Sequence, residues 1–138
     1  MRHSRSLCSA AAFAVLGLVS CGPPKNNVPL EDIPKIAKLK DLMDAQATFA
    51  DPQFKKIGKA PYGDADFASF ADTGKKIDAT STKLKDFSMG GTFDELAARL
   101  NEKARALEAA GEAKDAAAAE KALTEMKATC KECHKTWR

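Results

Sequence analysis

Four residues before the end of this 138-residue chain, Cys130-Lys131-Glu132-Cys133-His134 places two thiols three positions apart, with an imidazole beside the second. That order and spacing is the attachment signature of c-type haem. Each thiol can add across one vinyl group of a porphyrin, and the two vinyls sit a fixed distance apart on its rim. The adjacent histidine can then ligate the iron. On a helix, steps of three and four nearly complete a turn, so Cys130, Cys133 and His134 share one face and can reach one cofactor. Competing chemistries fit less well. Zinc wants four ligands, and two cysteines with one histidine fall short. Thiol–disulfide exchange wants a strand–helix context that the chain does not display. No carboxylate pair or second histidine is placed as catalysis would need, so the expectation is a carrier and not an enzyme.

The N-terminus says where such chemistry would take place. Arg2 and Arg5 precede an apolar run, Leu7 to Val19. This pattern predicts a signal peptide over 1–20, too short to span a membrane. The run ends in Leu18-Val19-Ser20-Cys21, which resembles a bacterial lipobox, in which the cysteine is acylated and becomes the first mature residue. Ordinary secretory cleavage near Ser20 is the alternative. Acylation of Cys21 would anchor the chain, at about 0.8 kcal/mol per buried methylene. Gly22-Pro23-Pro24 opens a tether that cannot start a helix, over 21–31. The expectation is an exported, periplasmic domain, 32–138, leashed to a membrane. Cys130 and Cys133 are then the two thiols left to the folded part, in a compartment that oxidises bare thiol pairs. The net charge of +3 owes two units to Arg2 and Arg5. A nearly neutral domain gives no argument for nucleic acid.

The elements that must position the motif are helical. Apolar residues recur at three and four, and no segment alternates as a strand would. The spacing predicts a first helix from about Asp32 to Ala50, with a stripe of Ile36, Leu39, Met43, Gln46 and Ala50, flanked by Leu42 and Phe49. Pro34 sits in its first turn, and Asp51-Pro52 ends it. A connector over 53–63 carries Pro61 and Gly63. Asp64 is the expected N-cap of a second helix reaching about Phe87, striped by Phe67, Phe70, Gly74, Ile77, Ser81 and Leu84. Small residues at 74 and 81 would admit either a neighbouring helix or a porphyrin edge. After Ser88-Met89-Gly90-Gly91, Thr92 and Glu95 form an expected capping box for a third helix, striped by Phe93, Leu96, Leu100, Ala104 and Leu107 and closed by Gly111. The fourth begins at Lys114 or Asp115 and runs to the end, with Ala119, Ala122, Met126, Cys130, Cys133 and Trp137 on its seam. Four such helices, each of about twenty residues and about 30 Å, predict an all-α antiparallel four-helix bundle with a covalently attached haem near the C-terminus.

At this point the chain resembles the class II c-type cytochromes of the cytochrome c-prime type. The stretch 129–138 is similar to the family's terminal motif, in which an aromatic and then an arginine follow the histidine. Gly58-Lys59-Ala60-Pro61-Tyr62 resembles its first interhelical loop. The resemblance covers roughly 31–138, strongly at the C-terminus and loosely elsewhere. It implies one covalent haem c, thioethers at Cys130 and Cys133, and His134 as proximal iron ligand. It also implies Arg138 beside a propionate, against the plain reading of a solvated terminal cation. Trp137 reads as packing on the haem edge more readily than as an electron conduit.

On the distal side the pattern frays. The family's basic residue on the first helix corresponds to Lys38, a weak propionate partner, and four positions later stands Leu42, which cannot bind iron. Met43, one residue on, can. His3 lies in the signal, Met126 shares a helix with His134, and Met89 sits in a glycine-rich turn. Met43 therefore stands as the candidate sixth ligand, with simple core packing as its alternative. With Met43 bound, the expectation is an electron carrier serving redox partner proteins of the cell envelope. With Leu42 over an open iron, it is a binder of nitric oxide or carbon monoxide. Pairing of two copies through the first two helices, common in the family, is left open.

Overall fold

The computed structural model describes residues 27–137. The expected signal peptide over 1–20, the expected acylation site Cys21 and Arg138 with its expected place beside a propionate lie outside the described residues. Four α-helices follow in order: α1 Leu39–Phe54, α2 Asp64–Lys83, α3 Gly91–Glu112 and α4 Ala116–Thr136. Short 3-10 turns, Leu30–Lys35 and Leu84–Phe87, precede α1 and extend α2. The helices make the all-α antiparallel four-helix bundle that the periodicity predicts.

Cross-links give the register. Gln46, Phe49 and Gln53 of α1 meet Thr80, Thr73 and Ser69 of α2. Arg99 and Lys103 of α3 pair with Glu132 and Glu125 of α4 at 2.7 and 3.2 Å. In both cases one index rises as the other falls, so the neighbours are antiparallel. The closest approach is between α2 and α3. A Cβ added at Gly74 would lie 2.5 Å from Glu108 N and 2.7 Å from Ala104 O. One added at Gly111 would lie 2.6 Å from Ala71 N and 2.7 Å from Phe67 O. The two glycines let the backbones touch at two heights. Of the two readings of the small residue at 74, the neighbouring helix is the one the fold uses.

Several boundaries differ from expectation for local reasons. The first helix starts at Leu39, not Asp32. Pro34 has no N–H and disfavours α geometry at Ile33, so the chain makes a 3-10 turn that buries Ile33, then runs extended through Lys38. The same helix passes through Pro52 to Phe54 instead of stopping at Asp51. Gln53 is buried and donates to Ser69 Oγ at 2.7 Å, and Phe54 packs on the core, so tertiary contacts outweigh the proline. Gly63, not Asp64, is the N-cap of α2, and its N–H donates to Asp66 Oδ2 at 3.0 Å. Gly90, at φ +112°, starts α3 two residues earlier than Thr92 could. The acid engaged there is Asp94, which accepts from Ser88 Oγ at 2.8 Å, and not Glu95.

Gly111 does not close α3. It is the buried contact described above, and the left-handed residue is Lys114, at φ 54°. Asp115 N–H donates to Ala110 O at 3.0 Å and Lys114 N–H to Gly111 O at 3.2 Å, the paired bonds of a Schellman ending. Asp115 then caps α4 by accepting from Ala118 N at 3.0 Å. One residue pair thus ends one helix and begins the next.

Candidate functional site

The seam of α4 carries Ala119, Ala122 and Met126 into the core, then Cys130, Cys133 and Trp137 at partial burial. His134 stands at the exposed edge of the same face. Facing it across the bundle is α1. These two helices scarcely touch, and between them opens a cleft of about 230 Å³. Its walls are Met43, Gln46, Ala47, Ala50 and Phe54 from α1 and Met126, Lys127, Cys130, Lys131 and His134 from α4, with Ile77 and Leu100 as floor and Asp51 at the rim. A smaller cavity of about 50 Å³ continues towards the α2–α3 turn, bounded by Leu39, Leu84, Phe93, Cys133 and Trp137. Met43, Gln46, Leu100, Cys130 and His134 border both spaces.

The spacing of the motif therefore does what the sequence requires. Both thiols are free, and both sit with the imidazole on one helical face turned to an apolar cavity. Burial pushes the Cys130 thiol up to about 11, with the neighbouring Cys133 and Asp51 adding to the shift. Burial also raises Cys133, helped by Glu132. Both groups are thus held as neutral thiols near neutral pH. They are poor metal-binding thiolates, but they are in the protonation state that addition across a vinyl group consumes. Among the described residues no three His, Cys, Asp or Glu side chains gather into a set that could hold a metal ion unaided. One imidazole on a greasy cleft suits a metal that brings its own four equatorial donors, and two thiols at the cleft edge suit a macrocycle fixed through its rim. The residues present fit haem.

The other expected site residues separate clearly. Met43 fronts the cleft, on the wall opposite His134. Leu42 does not. It is fully buried in the core and borders neither space. Of the expected stripe, Leu39, Met43, Gln46 and Ala50 border the two spaces and Ile36 precedes the helix, while Leu42, Ala45 and Phe49 are buried away from both. Lys38 is the exposed N-cap of α1 in extended conformation, away from the cleft lining, and its carbonyl accepts from Leu42 N at 3.1 Å. Met89 is exposed in its turn. Trp137 packs edge-on to Phe93, with ring centroids 5.5 Å apart, and borders the smaller cavity as a core residue does.

Two features escaped the sequence reading. One is Gln46, a polar member of an apolar stripe that the fold turns into both cavities. Its place in the stripe was the available signal. The other is a clasp. Glu120 of α4 accepts from Gly58 N at 2.6 Å and from the Tyr62 hydroxyl, tying the α1–α2 connector to α4. Burial first, and then Glu120, push Tyr62 up to about 12. The loop resemblance reached Gly58 and Tyr62, but nothing local points to Glu120, some sixty residues away. A third and larger groove, about 410 Å³ between α2 and α3, is lined by Ser81, Thr82, Asn101 and Arg105 among others; Asn101 donates to Ser81 and Thr82, and Arg105 to Asp78.

The family model described as Cytochrome C' matches residues 34–138 of this chain. No curated protein and no solved structure matches it.

Proposed function

Because the chain belongs to the cytochrome c' family, and so to the haem-bearing c-type cytochromes, we propose that it carries one haem, covalently, in the α1–α4 cleft and passes single electrons within the cell envelope. Cys130 and Cys133 would hold the group through thioethers, and His134 would ligate the iron from the α4 side. The haem supplies the one-electron couple. The protein's own residues do the rest. Met126, Leu100, Ile77 and Ala50 offer apolar surface that would shed water against the ring, and Met43 presents a thioether from the facing wall. A thioether as sixth ligand raises the potential.

The observation that carries the electron-transfer reading is the exchange of neighbours on α1. Met43, and not Leu42, faces His134. Were Met43 and His134 both to hold the iron, no position would be open to a substrate or a gas while Met43 stays bound, which favours a carrier over an enzyme. Acylation at Cys21 would hold it to the membrane, and its partners would be envelope redox proteins.

The test is the visible spectrum of the reduced protein, produced in a host that attaches haem, with and without carbon monoxide. A sharp low-spin spectrum unmoved by the gas is expected. A broad high-spin spectrum that shifts at once would replace the carrier with a binder of carbon monoxide or nitric oxide. The intact mass of the same sample reads both haem attachment and acylation.

A further inference from the structure

Gln46 is one turn beyond Met43 on the cleft wall of α1, and its side chain is only 9 % exposed. Its amide has a fixed orientation. Nε2 donates to Thr80 Oγ1 at 3.1 Å. The Thr80 hydroxyl, itself fully buried, donates to Ile77 O at 3.1 Å. That hydroxyl has its proton committed and a lone pair free, so the end of Gln46 facing it must be the nitrogen. The carbonyl end, Oε1, then points elsewhere. Among the described residues the sealed side-chain polar atom without a partner is Gln53 Oε1, not Gln46 Oε1. Among the described residues Gln46 Oε1 has no hydrogen-bond partner, and it is not sealed from the space that the residue borders. That space is the pair of cavities that Gln46 shares with Met43 and His134.

We propose that Gln46 is a specificity-determining residue of the distal wall: whenever the Met43 thioether is off the iron, it presents a fixed hydrogen-bond acceptor that selects protic ligands over carbon monoxide and similar aprotic diatomics. The proposal rests on the reading that haem occupies this cleft with Met43 opposite His134. The chemistry is that of an unpaired carbonyl among apolar neighbours. An N–H or O–H group entering in place of the Met43 thioether satisfies it. A ligand whose outer atom carries only lone pairs leaves it unsatisfied and is repelled. Burial of Thr80 keeps the amide from turning its N–H₂ towards the cleft instead.

The experiment uses the haem-loaded full chain carrying Met43→Ala, which frees the distal position. Imidazole, an N–H donor, and carbon monoxide serve as probes. With Gln46 present, imidazole is favoured. Adding Gln46→Leu is expected to lower the imidazole-to-carbon monoxide affinity ratio by about fivefold to tenfold, the worth of one buried hydrogen bond. The infrared stretch of bound carbon monoxide reports the same contact without reference to affinity. Lone pairs near its oxygen raise the frequency, so Gln46→Leu should lower it. Thr80→Val, which keeps the shape of the core but releases the amide, should move both readouts the same way, and it guards against a Gln46 variant that fails to fold. If Met43→Ala does not make the spectrum respond to carbon monoxide, the cleft reading falls and the proposal with it. If it does, and neither Gln46→Leu nor Thr80→Val moves the ratio or the stretch, the proposal alone is overturned.

Discussion

The bundle has a closed half and an open half. In the closed half, α2 and α3 meet through Gly74 and Gly111, backbone against backbone, with Phe67, Phe70, Ile77, Leu100 and Leu107 buried along the seam. In the open half, α1 and α4 stand apart around a cleft bordered by Met43, Gln46, Cys130 and His134. Small residues are used in opposite ways in the two halves. Glycine in the closed half removes the space between helices. Alanine in the open half, at 47 and 50, leaves space unfilled. Close packing makes the first half intolerant of added volume. The second has volume to give, which is what a rigid flat cofactor requires of its host.

The contrast predicts where substitutions hurt. Gly74→Leu should have the largest effect, because even a Cβ there meets backbone atoms and no side chain can yield. We expect a loss of about 3 kcal/mol or more in urea unfolding, beyond the usual cost of overpacking. A stable, normally folded variant would mean that α2 and α3 are not the rigid half. Met126→Ala comes next. Met126 is fully buried between the cleft and the core, and its loss should cost about 2–4 kcal/mol, read in the same assay.

Met43→Leu sharpens the comparison from the open side. It conserves volume on a half-buried wall, so stability should change by less than about 1.5 kcal/mol. The reduced spectrum should nonetheless turn high-spin and respond to carbon monoxide. A large stability loss with an unchanged spectrum would make Met43 a packing residue like those of the closed half.

The smallest expected effect concerns pH. The folded state raises the Tyr62 hydroxyl from its ordinary value near 10 to about 12. The proton is therefore held more tightly in the fold than in the unfolded chain. The stability this contributes is complete below about pH 10 and fades as pH climbs towards 12. Tyr62→Phe should remove that alkaline fade. As the chain's one tyrosine, its phenolate absorbance reads the titration directly.

Much of this was legible in the sequence. The stripes of α2 and α3 are buried residue for residue, because heptad-like spacing of large apolar groups on a helix has one low-energy outcome. The Cys-x-x-Cys-His motif falls on the cleft because its register on α4 is set by Ala119, Ala122 and Met126. Helix starts were harder to see. Gly63 and Gly90 displaced Asp64 and Thr92 as caps, Gly90 by a turn at φ +112° open to glycine and Gly63 through the bond from its N–H to Asp66. On α1 the sequence left Leu42 and Met43 competing for the cleft. Both lie on its apolar side, and the choice between core and cleft depends on α1 leaning on α2 through Gln46, Phe49 and Gln53, which are pairings between distant parts of the chain.

The Glu120 clasp gives the open half a direction. It fastens the chain just after α1 to α4 about ten residues, or roughly 15 Å, ahead of Cys130. α1 is thus tied to α4 just past its C-terminal end, while among the described residues no hydrogen bond or ion pair ties its N-terminal end, near Lys38 and Leu39, to α4. The end of the cleft beside the two sulfurs and the imidazole is therefore the less tightly tied end, and a flat guest entering edgewise there would meet its points of attachment at the doorway before reaching the back wall at Phe54.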